Sequence, residues 1–182
     1  MTRIQPVQPT QANEKTQKLL DGVQRGMGMV PNMFKTLAHS SAALSGYLNF
    51  NQALGGALTP RLREQVALAV AGINGCDYCA SAHTLLGRNA GVSDEELAAN
   101  LASQSSDERT QAALSFARAV VEHRGRVADS DLAEIKAAGF TDAEIVEIVS
   151  VVALNVFTNY FNLVAGTEID FPVVETATAT AS

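Results

Sequence analysis

The chain has 182 residues, 47% of them hydrophobic and 18% charged, with no Trp, three Tyr and a formal net charge of −6. That length supplies one domain with a core, and the composition is globular, with little aromatic material for strands. Lys and Arg are scattered, which excludes the basic patch that nucleic acid requires and argues against an anionic membrane surface.

Residues 1–10 carry Pro6 and Pro9 and read as an arm; the polar N-terminus lacks the apolar run of a secretory signal, so a cytoplasmic protein is expected. Helical periodicity covers about 11–26, with Leu19, Leu20 and Val23 on one side. The segment GMGMVPNMF is a loop entering a new helix, with Pro31 in its first turn, and the periodicity then continues through Leu37, Leu44 and Leu54 until Gly55-Gly56. Thr59-Pro60 is a start signal for a helix over 60–74 that is apolar on nearly every face after its first turn, as a central helix would be. Asn74-Gly75 stops it, and another helix begins around Cys76.

Ser93 with Glu96, and Thr141 with Glu144, read as capping boxes. Between them lie helices over about 107–122 and 129–138, and a last helix runs over about 142–165. Ser150, Asn155, Thr158, Asn159 and Asn162 interrupt its apolar run, which makes it a buried or interface helix rather than a membrane span. The tail, 167–182, is extended, with a low-complexity, disordered end. The expectation is an all-α single domain over 1–182, with its core at about 11–166.

The only two cysteines, Cys76 and Cys79, are three residues apart, too close for a disulfide framework, so their purpose is chemical. With the helix starting near Cys76, Cys76, Cys79 and His83 fall at i, i+3 and i+7 on one face. The helix N-terminus favours thiolates, and the imidazole one turn beyond Cys79 can accept a proton, which suits attack on an O–O or S–S bond. Other readings stand beside this one. The cysteines could be inert buried hydrophobes, and His83 a satisfied core histidine. Cys76, Cys79 and His83 could also hold zinc with His39, His123, Glu64 or Asp77, although the spacing is not that of the usual two-pair sites.

Glu64 faces the apolar positions Leu68, Ala71 and Gly75, and is a proton acceptor, an orienter of His83, or a first-turn Glu at the solvent rim. Asn155, Asn159 and Asn162 form a polar stripe on the last helix that lines a cleft, a subunit interface or solvent. Tyr78, Asn155 and Asn159 are the candidate substrate contacts.

Glu64, the eleven-residue gap, C-x-x-C and His83, set in REQVALAVAGINGCDYCASAHT, resemble the carboxymuconolactone decarboxylase-like superfamily on its alkylhydroperoxidase D (AhpD)-like side. MVPNMFKTLAHS and NVFTNYFNLVAGTEIDFP are similar to its peroxidase-related branch. The resemblance implies an AhpD-like helical fold assembling as a homo-oligomer, a trimer or hexamer. It also implies a peroxidase or disulfide reductase that needs no metal, haem or flavin. By that match Cys79 attacks a hydroperoxide and becomes a sulfenic acid, Cys76 resolves it, and Glu64 and His83 relay protons. An external dithiol, lipoyl-type in relatives, restores the thiols. Where those relatives carry a His just before the second cysteine, this chain has Tyr78, which shortens the relay. A disulfide reductase or redox sensor using the same pair, and an oligomeric binding protein with an inert pair, are the alternatives.

Overall fold

Thr59 and Pro60 start the helix around which the rest is built. The Thr59 hydroxyl accepts from the Leu62 N–H at 3.2 Å, and Pro60 occupies the first turn, where its missing N–H costs nothing. The structure, a computed structural model, describes residues 1–177; the low-complexity end of the tail lies outside the described residues. Among the described residues there are nine α-helices and no strand. They are α1 (Glu14–Met27), α2 (Asn32–Leu37), α3 (Ser41–Ala53), α4 (Pro60–Asn74), α5 (Asp77–Asn89), α6 (Asp94–Leu101), α7 (Glu108–Glu122), α8 (Asp129–Ala137) and α9 (Asp142–Ala165).

Helix α4 packs against α5, α6, α7 and α9, which explains why every residue from Glu64 to Ala71 is buried. It separates two apolar clusters. On one side Leu62, Val66 and Val70 meet Leu114 and Phe116 of α7, Ile135 of α8 and Ile148 of α9. On the other, Ala71 joins Leu20, Met33, Phe34 and Leu44 with Cys76, Tyr78 and Cys79. The cysteines therefore belong to a packed core and lie beneath the surface. By length and composition α9 is the one described helix that could cross a bilayer; its buried face packs on α4, α5 and α7.

Three expectations need correction. The periodic stretch after Pro31 is two helices, because the Ser40 hydroxyl accepts from the Ala43 N–H at 3.2 Å and restarts the chain. Pro31 is the residue before α2 and does not lie inside its first turn. The Ser93–Glu96 box is half made: Ser93 caps the Glu96 N–H, but the Glu96 carboxylate turns inward to Gln65, Asn100, Ser105 and Ser106. A carboxylate that is buried takes the most donors it can find, and four partners outbid one exposed N–H. The Thr141–Glu144 box is complete.

Both chain ends described are tied to the helices. The Arg3 and Ile4 N–H groups donate to the Ala165 carbonyl, capping α9. The extended tail crosses the start of α5, where Thr176 donates to Asp77 Oδ1 and the Val174 N–H to Ser81 Oγ.

Candidate functional site

Gly75 ends α4 with φ +67°, a conformation that a side chain disfavours, and the reversed chain presents Cys76 as the N-cap of α5. The Cys76 sulfur occupies the place usually taken by a Ser or Thr oxygen, accepting from the Cys79 N–H at 3.3 Å. Cys76 and Cys79 are joined as a disulfide with their Cα atoms 5.3 Å apart, and are 1% and 3% exposed. Asn162 of α9 points its Nδ2 at the Cys79 sulfur, 3.4 Å away.

The Glu64 carboxylate is buried and accepts from His83 Nδ1 at 2.7 Å, so it points inward and does not sit at the solvent rim. With Nδ1 held, Nε2 is the nitrogen left for chemistry. Arg63 stands 3.9 Å from the other Glu64 oxygen. These groups line a cavity of about 130 Å³ that also contains Cys79, with Phe34, Tyr47 and Phe171 among its walls. Burial, reinforced by the Glu64 charge, pushes the Tyr47 phenol up to about 12, so it stands in the cavity as a neutral O–H.

Tyr78 also lines this cavity, but its hydroxyl is spent elsewhere. It donates to Asp170 Oδ1 at 2.9 Å and accepts from the Met33 N–H at 3.1 Å. Burial and the adjacent Asp170 charge push this phenol far up, despite the opposing Met33 N–H. Asp170 Oδ2 further accepts from the Asn32 N–H at the start of α2, so one carboxylate joins the tail, α2 and α5.

The asparagine stripe is buried along its whole length. Asn155 lines a small adjoining cavity with Glu64 and His83, whereas Asn159 accepts from Asn74 Nδ2 at 3.0 Å and lines neither cavity. Asn162 is the stripe's member at the sulfur. The remaining candidates for a zinc ligand are dispersed: His39 Nε2 meets the Gln5 carbonyl at 2.8 Å, His123 ends α7, and Asp77 holds Thr176. Among the described residues no three His, Cys, Asp or Glu side chains converge as metal ligands.

Residues 41–123 match the carboxymuconolactone decarboxylase family. No match was found among curated proteins. Among solved structures, the chain resembles the alkylhydroperoxidase AhpD core of a peroxidase-related protein from Ralstonia eutropha JMP134, with a TM-score of 0.85, 24% identity and 93% and 92% of the two chains covered. A peroxidase-related protein from Silicibacter sp. TM1040 gives 0.77 at 24% identity over 87% and 86%. The debrominase Bmp8 in complex with 2,3,4-tribromopyrrole gives 0.79 at 19% identity over 93% and 92%. At these identities the likeness establishes a shared fold, which is AhpD-like.

Proposed function

On the match of residues 41–123 to the carboxymuconolactone decarboxylase family, we propose that this chain is a thiol-dependent peroxidase acting on hydroperoxides through Cys79 and Cys76. The observation that carries the reading is the placement of Cys79 and the hydrogen-bonded Glu64–His83 pair on one cavity.

In the reduced protein the Cys79 thiol gives its proton to His83, whose imidazolium the Glu64 carboxylate supports. The thiolate attacks the hydroxyl oxygen of the hydroperoxide. The O–O bond breaks, the hydroxyl stays on sulfur as a sulfenic acid, and the departing alkoxide takes the proton from His83. The Cys76 thiol then attacks the Cys79 sulfur, water leaves, and the Cys76–Cys79 disulfide remains. Asn162 stabilises the thiolate through its Nδ2–H. An external dithiol, such as a lipoyl-type reductant, returns the pair to thiols. The cytoplasm is the compartment that sustains such cycling, and the apolar side chains that α9 leaves exposed support assembly with further copies as a trimer or hexamer.

Cys79→Ser is expected to abolish peroxide consumption, and undiminished turnover would contradict the mechanism. Cys76→Ser is expected to leave a sulfenic acid on Cys79 that dimedone labels.

The cavity also favours a second reading. Its aromatic walls, Phe34, Tyr47 and Phe171, offer ring faces and edges against which a flat aromatic substrate can pack. A structural relative holds a tribrominated pyrrole, so two-electron removal of a halogen from a small aromatic ring by the same thiols is the alternative. Bromide release from a bromopyrrole by the reduced protein, without peroxide consumption, selects it.

A further inference from the structure

We propose that the oxidant and the reductant reach this disulfide from opposite sides, the hydroperoxide through the cavity at Cys79 and the dithiol through a second cavity at Cys76. The proposal rests on the redox-active pair of the preceding section and adds the route of the partner that regenerates it.

Two cavities meet at the pair, and each contains one cysteine. The cavity with Glu64 and His83 is lined by Cys79 and not by Cys76. A larger one, about 480 Å³, is lined by Cys76 and Asp77 together with Thr167 and Glu168, and not by Cys79. Tyr78 and Asn162 line both and therefore form the partition. That partition is fixed: the Tyr78 hydroxyl is held by Asp170 and the Met33 N–H, and Asn162 is buried against the Cys79 sulfur. The Cys79 side has room for one small substrate. The Cys76 side has more than three times that volume, enough for a dithiol on a pendant arm.

The chemistry points the same way. A thiolate entering from the larger cavity attacks the Cys76 sulfur, the S–S bond breaks, and Cys79 departs as the thiolate. Cys79 is the sulfur with Asn162 Nδ2–H beside it and His83 one turn along, so its negative charge is received where it forms, and a stabilised thiolate leaves faster. The second thiol of the reductant then attacks its own sulfur in the mixed disulfide. Cys76 leaves, with the Cys79 N–H positioned to receive its charge, and takes up a proton. The dithiol departs as a cyclic disulfide, and the protein holds two reduced cysteines. Attack at Cys79 would instead bring the reductant into the narrower cavity and expel Cys76, the sulfur without the Asn162 side chain and the His83 imidazole beside it.

The test maps where a thiol attaches. The protein is oxidised with one equivalent of an organic hydroperoxide, and in parallel with diamide. It is then exposed briefly to glutathione, quenched in acid, alkylated and mapped by tandem mass spectrometry. Glutathione on Cys76 in both samples is expected; glutathione on Cys79 overturns the proposal. If diamide forms a disulfide that opens at Cys76 but the hydroperoxide forms none, the peroxidase reading falls and the reductant's side stands. Two rim substitutions give the kinetic counterpart. Glu168→Trp narrows the Cys76 side and should slow reduction by dihydrolipoamide about tenfold or more, leaving peroxide oxidation within about twofold. Met27→Trp, at the rim of the other cavity, should do the reverse. Both side chains are exposed, so neither change disturbs the core. Equal slowing of both half-reactions by either variant, at an unchanged melting temperature, also overturns the proposal.

Discussion

Glu64 accepts from His83 Nδ1 at 2.7 Å, and this single bond leaves Nε2 as the free imidazole nitrogen, the one to which the proposed mechanism assigns proton exchange. Glu64→Gln keeps the shape and removes the charge that supports imidazolium. It should slow formation of the sulfenic acid by about 10²-fold, the ordinary worth of a positioned acid–base group, with little change in melting temperature. A single-turnover rate equal to wild type would make Glu64 structural. The grouping of Glu64, Cys79 and His83 was legible because each obeys a local spacing: Cys79 and His83 are one helical turn apart, and Glu64 sits among apolar helix positions where a lone carboxylate would be costly. Asp170 was not legible. It meets Tyr78 across 92 positions of sequence, and an acidic residue in an extended tail carries no periodic signal. The stripe of asparagines was visible, but which member reaches the sulfur depends on how α9 is rotated against α5, and only the packed structure settles that on Asn162.

At the scale of elements, capping chemistry and close packing decide what the sequence reveals. Helices α4 and α9 begin where Thr59 and Thr141 announce them, because an N-cap is a bond between near neighbours. The break between α2 and α3 is marked by Ser40 alone, with no Gly or Pro, and the surrounding apolar periodicity hides it. Gly72 marks the crossing of α4 and α6: a Cβ there would overlap the Leu101 carbonyl, a backbone group that cannot swing aside. Gly72→Ala should therefore destabilise the fold by about 1–3 kcal/mol, the cost of overpacking, seen as a lowered midpoint in urea. An unchanged midpoint would mean that α6 shifts freely.

Glu96 gives the same contact a pH dependence. Burial opposes its charge, but hydrogen bonds from Ser105, Asn100 and Ser106 outweigh burial and hold the carboxyl down to about 2. In the unfolded chain a Glu titrates near roughly 4.3. The stabilisation is thus complete above that value and lost as pH falls from there towards 2, a difference on the order of 3 kcal/mol. Glu96→Gln should lower the melting temperature at pH 7 and flatten its fall between about pH 4 and 2. A fall in the variant as steep as in wild type would place the acid sensitivity elsewhere.

For the whole molecule, the helical class and the central position of α4 follow from composition and from a helix that is apolar all round, and the structure has both. What one chain leaves open is its outer face. Helix α9 exposes Val146, Val149, Phe157, Tyr160 and Val164, a run of large apolar side chains that a lone soluble domain would normally cover. Light scattering behind size exclusion should give a mass of three or six chains, and Val149→Asp should lower it; a monomeric wild type would contradict the assembly. The proposed redox cycle is tested by a mass measurement with free thiols counted before and after one equivalent of an organic hydroperoxide. Loss of both thiols with a fall of about two hydrogen masses, as disulfide formation requires, is the predicted result. Two unchanged thiols, with the hydroperoxide still present, would contradict it.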